Sequence, residues 1–215
     1  MHLANLTRAS GLAGISGGLL IALFFILHPG GQEPGSVQTI LSTPYALEHT
    51  LAVAAYILIM LALPAAYSLQ AERCGFLGLL GFVLAFIGSA LMVGVFMHDG
   101  YALPHEATLT TSLEPVGAMN VAVIVAAIAF VAGFVIFGFV TMRAGVFPRW
   151  AGALLIVGSI VTNLPPPPDT NLLNTLIRRP IPLPWMVLDI GASLLGAGLV
   201  WVGIGLWSGR PTARG

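Results

Sequence analysis

Long stretches almost free of charge divide this chain, and no other feature restricts its fold as much. They place helices at about 11–28, 45–69, 76–98, 116–142, 149–164 and 185–207. Roughly 20 apolar residues span the ~30 Å hydrocarbon core as an α-helix, and inside lipid the backbone must satisfy its own hydrogen bonds. The expectation is an all-α fold, a polytopic bundle of six transmembrane helices forming a single domain over residues 1–215. Composition agrees: 57% of the 215 residues are hydrophobic and only 7% are charged, against roughly 25% in soluble domains. That is too little charge to cover a water-facing surface. The first and fifth runs are short, so each must borrow flanking residues or sit where the bilayer thins.

Six spans leave both termini on one side. Arg8, Arg73, Arg143, Arg149, Arg210 and Arg214 fall on that side, and only Arg178 and Arg179 on the other. The positive-inside rule then makes the termini cytoplasmic in a multi-pass protein of the cell membrane. The first run ends at His28-Pro29 with no small-residue cleavage site, which reads as an uncleaved span. No basic stretch offers the electrostatic footprint that nucleic acid requires, so the expected partner is the lipid bilayer. Cys74 is the only cysteine, which excludes an internal disulfide and Cys-rich metal motifs.

Small residues recur within the runs, at Gly14/Gly18, Gly75/Gly78/Gly81, Gly133 and Gly191/Gly196/Gly198/Gly203. Such spacing lets helix backbones approach where no hydrophobic effect drives association. Pro64 is expected to bend the second helix, and the prolines at 165–168 to form a stiff segment ending the fifth. The turn Arg143-Ala-Gly-Val-Phe-Pro-Arg-Trp-Ala-Gly152 lies between two apolar helices. It resembles a cytoplasmic turn of six-helix bacterial membrane proteins of unknown function, and residues 71–82 share that likeness more loosely. The resemblance implies the topology; it implies no activity and no site residues.

Chemistry gathers at the other face. With this topology His28, His49, His98 and His105 lie at the outer boundary, as do Glu33, Glu48, Asp99, Glu106, Glu114, Asp169 and Asp189, leaving Glu72 as the inner acid. His28 ends the first helix, Glu48-His49 begin the second and His98-Asp99 end the third. Neighbouring helices would bring three imidazoles and two carboxylates to one depth, a ligand set suited to zinc, copper or iron. Two of the histidines could instead ligate haem b, held non-covalently because there is no Cys-x-x-Cys-His. His105 is a further candidate beside the site. Against the metal site stands the simpler role of interfacial histidines that hydrogen-bond water, headgroups and loop carbonyls.

Asp189, early in the sixth helix, calls for a partner such as Arg178 or Arg179, or else answers the helix dipole. That arginine pair could clamp an anionic headgroup, or simply neutralise nearby carboxylates. Asn120 and Asn163 are expected to hydrogen-bond across helices, Trp150, Trp185, Trp207, Tyr45 and Tyr101 to anchor the interfaces, and Trp201 to pack within the bundle or against lipid.

Three functions follow as expectations. The first is a metal or haem site acting on a lipid-soluble partner such as a quinone. The second is a noncatalytic accessory subunit or assembly factor whose Gly-rich faces pack on other membrane subunits. The third is a metal-free lipid-modifying enzyme using Asp189 or Glu48 as acid, with Arg178 and Arg179 on the headgroup. Transport lacks support, because no charged pathway reaches the inner side.

Overall fold

The computed structural model describes residues 3–28, 40–109, 117–163 and 183–209. The described chain is helical. It comprises α1 (Leu3–Leu27), α2 (Thr43–Met97), a π-helical turn (His98–Ala102), α3 (Leu103–Leu109), α4 (Gly117–Ala144), α5 (Arg149–Thr162) and α6 (Leu183–Ser208). Among the described residues four helical stretches are long and apolar enough to cross a membrane: Ala4–Leu27, Thr43–Glu106, Val121–Ala144 and Val187–Ser208. The protein is therefore an all-α, multi-pass membrane protein. His2, Glu33, Glu114, Asp169, Arg178, Arg179, Arg210, Arg214 and the prolines at 165–168 lie outside the described residues, as do the side chains of Asn120 and Trp185.

α2 has 55 residues, about 80 Å if straight at 1.5 Å per residue, and it does not run straight. At Gly75 the backbone takes φ 54 and ψ −153, a conformation that strains any residue with a Cβ. The two arms fold back on each other. Tyr67 stacks on Phe82 with ring centroids 5.0 Å apart, and Tyr56 on Phe96 at 5.4 Å. Pro64, where a bend was expected, lies within the first arm, and the break in helical dihedrals comes at Gly75.

Each segment then packs antiparallel on a neighbour through its small residues. On α1, Gly14 meets Ala62 and Gly17 meets Ala55 and Ile59 of the first arm. Gly88 of the second arm lies against the Phe130 backbone of α4, and Gly133 of α4 against that of Ala85. Gly158 of α5 meets Leu195 of α6, and Gly18 of α1 meets the Gly196 carbonyl of α6, which closes the circuit. A Cβ at Gly18, Gly88, Gly133 or Gly158 would strike a neighbour's main chain, and one at Gly14 or Gly17 would fit only tightly, so close backbone approach supplies van der Waals attraction between the helices. Phe24, Tyr56, Phe130, Phe134 and Phe137 fill the interior.

α1 starts eight residues before its apolar run, so the short first span does borrow its neighbours. α5 stays short at 14 residues, about 21 Å. Asn163 follows it and donates from Nδ2 to the Ser159 carbonyl at 3.0 Å. It thus satisfies one of the unpaired carbonyls of its own last turn rather than bonding across helices. The α4–α5 turn uses Gly145 at φ 63, and Arg73 Nη1 donates to the Ala144 carbonyl at 3.0 Å, answering the end of α4. Trp150 and Trp201 pair edge to face at 4.4 Å, both facing outward.

The antiparallel register sorts charge. Arg8, Arg73, Arg143 and Arg149 share one end of the bundle; His28, His49 and His98 share the other.

Candidate functional site

Local sequence sets the histidine end. Ser42 caps α2, accepting from the Tyr45 N–H at 3.4 Å, with proline in the first turn. That start places Glu48 and His49 one turn in, where they are only 8% and 2% exposed. His28 follows the last residue of α1, its backbone N–H donating to the Phe24 carbonyl at 2.8 Å.

These three side chains converge. His28 Nδ1 lies 3.6 Å from Glu48 Oε2, and the rings of His28 and His49 are 5.5 Å apart between centroids. His49 Nδ1 donates to the Tyr45 carbonyl at 2.7 Å. Because a carbonyl can only accept, the neutral His49 ring carries its lone pair on Nε2. Glu48 Oε2 is buried without a hydrogen bond. His28, just beyond α1, has its pKa lowered to about 4 by burial first and by His49 second, so it too is a neutral ring at neutral pH.

Aromatic rings wall the group. Tyr45 lies over His49 at 4.1 Å, Phe24 sits 5.1 Å from His28 and 5.7 Å from His49, and Phe96 sits 5.9 Å from His49. Gly100 closes one side, where a Cβ would come within 2.6 Å of His49 Cβ. It can do so because the π-helical turn shifts the end of α2, and such turns recur at functional sites. Tyr101 and Thr50 pin this turn to the first arm through hydroxyls 2.6 Å apart.

His98 forms a separate group. Its Nδ1 is 3.2 Å from Asp99 Oδ1 and its Nε2 is 3.7 Å from Glu106 Oε1. The three histidines expected at one depth thus divide into a buried pair with Glu48 and a more exposed one with Asp99 and Glu106. Among the described residues no set of three or more His, Cys, Asp or Glu side chains is arranged to hold a metal ion. His105 is exposed on α3, and Asp189 is half-buried on α6 near Gly191, which packs on Thr162. Arg178 and Arg179 lie outside the described residues.

Sequence reasoning passed over Tyr45, Phe24, Phe96 and Gly100. Tyr45 read as an interfacial anchor, although its i, i+4 spacing to His49 was the available signal. A buried bond from Gln70 Nε2 to Thr141 Oγ1, 3.2 Å long, also went unforeseen at the arginine end.

No family model, curated protein or solved structure matches the chain.

Proposed function

We propose that this is a six-span membrane protein with cytoplasmic termini that binds one zinc, copper or iron ion in its outer leaflet. His28, Glu48 and His49 hold the ion for redox or metal-dependent chemistry on a lipid-soluble partner such as a quinone. The doubling back of α2 supports six crossings, and the arginines at one end of the bundle support the orientation.

One observation carries the metal: buried Glu48 Oε2, without a hydrogen bond, stands 3.6 Å from His28 Nδ1. That is too long for a hydrogen bond. It matches two ligands on one ion, since bonds of about 2.0–2.2 Å at tetrahedral to trigonal angles separate donor atoms by roughly 3.4–3.7 Å. The ring spacing of His28 and His49 favours the same choice. Imidazoles sharing a tetrahedral ion keep their centres roughly 5 Å apart, whereas axial ligands across a haem sit roughly 6.5 Å apart; the observed value is 5.5 Å. A small closing rotation of His49 would complete the set, with the Tyr45 carbonyl as the partner that orients the ring.

Elemental analysis and a visible spectrum of the detergent-purified chain test this. The expected result is about one metal per chain and no Soret band, with the metal lost from a His28→Ala/Glu48→Gln/His49→Ala variant. A folded, metal-free wild type would end this proposal and direct attention to partner subunits.

A further inference from the structure

The α4–α5 turn takes no part in the histidine site, yet it gathers hydrogen-bond donors that the protein does not use. Arg143 in the last turn of α4 and Arg149 at the start of α5 flank the turn, and both are exposed. The Arg143 guanidinium lies 5.6 Å from the centroid of the Phe139 ring, a cation–π contact that spends none of its N–H groups. Among the described residues neither arginine has an ion-pair partner or a side-chain hydrogen bond. Arg73, at the same end, differs in donating to the Ala144 carbonyl. Glu72, exposed at the tip of α2, pairs with neither arginine.

The residue after Arg149 adds an apolar side. Trp150 packs edge to face on Trp201 of α6 at 4.4 Å, yet the two remain 43% and 41% exposed, so much of their ring surface meets lipid rather than protein. An indole combines an apolar body with one N–H donor, and neither N–H has an acceptor among the described residues. The surface is therefore positive, rich in donors, poor in acceptors and apolar towards the membrane. Its complement is a phosphate joined to hydrocarbon. Guanidinium groups fork onto phosphate oxygens, and an acyl chain can lie along the indoles. A free phosphate would leave the rings unanswered, and a zwitterionic lipid would bring a second cation beside two arginines.

We propose that Arg143, Arg149, Trp150 and Trp201 form a binding site for one anionic phospholipid in the leaflet at the arginine end of the bundle. The site does not depend on the metal-binding role proposed above. The arginines hold the phosphate and the indole pair holds the upper part of an acyl chain. One lipid then joins α4, α5 and α6. Because α5 has only 14 residues, a lipid held at its start helps to set its depth in the bilayer.

Native mass spectrometry of the full-length, detergent-purified chain, titrated with phosphatidylglycerol and with phosphatidylcholine of the same acyl chains, tests the site. At about fivefold per arginine, wild type should hold one phosphatidylglycerol on the order of twentyfold more tightly than phosphatidylcholine. Arg143→Gln/Arg149→Gln should bring the two lipids to within about twofold of each other. Arg8→Gln, at the same end but on α1, should leave the preference intact. Trp150→Leu/Trp201→Leu should weaken phosphatidylglycerol while the headgroup preference persists. Equal retention of the two lipids by wild type would overturn the proposal. So would a loss in Arg8→Gln as large as in the double variant, which would spread the effect over the whole end, or unchanged binding without the indoles. Displacement of the lipid by inorganic phosphate would make this a phosphate site and overturn the lipid as its ligand.

Discussion

At the level of single residues, Glu48 asks most of its surroundings. A buried carboxylate oxygen left without a hydrogen bond costs about 1–3 kcal/mol, more when charged, and His28 at 3.6 Å only partly answers it. The pH response of His28 follows from its burial. In the folded metal-free chain it stays neutral down to about pH 4, whereas the unfolded chain protonates it near 6.5. Between those values the unfolded state binds the extra proton, so stability rises with pH. The His28 contribution is complete above 6.5 and disappears as the pH falls towards 4, a loss on the order of 3 kcal/mol. Melting curves across this range should therefore show an acid limb in wild type that flattens in His28→Gln. An identical limb in both would assign the loss to another group.

At the level of helices, packing rests on glycines, and the sequence announced most of them. Gly14, Gly18, Gly133 and Gly196 stood out by spacing alone, because membrane helices have few other ways to approach. Their partners were not legible, since spacing on one helix says nothing about which neighbour fills the gap. The reversal after residue 69 was legible as the break between two apolar runs, but not the residue that carries it: Gly75 is one of three glycines within seven residues, and only the backbone shows which one has positive φ. Gly133→Val should strike the Ala85 main chain and lower stability by about 1–3 kcal/mol. Gly94→Ala is the matched control, because a Cβ there meets nothing within 4 Å and should leave the melting temperature unchanged or raised. Equal melting of Gly133→Val and wild type would show that the α2–α4 contact contributes little.

For the whole molecule, the arrangement of ends is the testable quantity. In a Cys74→Ser background, Thr108→Cys on α3 should react with a membrane-impermeant maleimide on intact cells. Ser208→Cys at the end of α6 should react only after permeabilisation. Both reacting alike would refute the orientation. Hydropathy and arginine placement made the membrane class legible, because both are one-dimensional signals. The grouping of His28 with Glu48 and His49, and of His98 with Glu106, was not. The first depends on how α1 packs on the first arm of α2, the second on a π-helical turn between His98 and Glu106, and nothing in local composition distinguishes that turn from one more turn of α-helix. The reversal at Gly75 also bears on how the protein is made. Its two arms are joined by a single residue with no slack, so neither can settle across the membrane long before the other. In the proposed six-span topology they cross as a pair, with the tip bearing Glu72 and Arg73 on the cytoplasmic side.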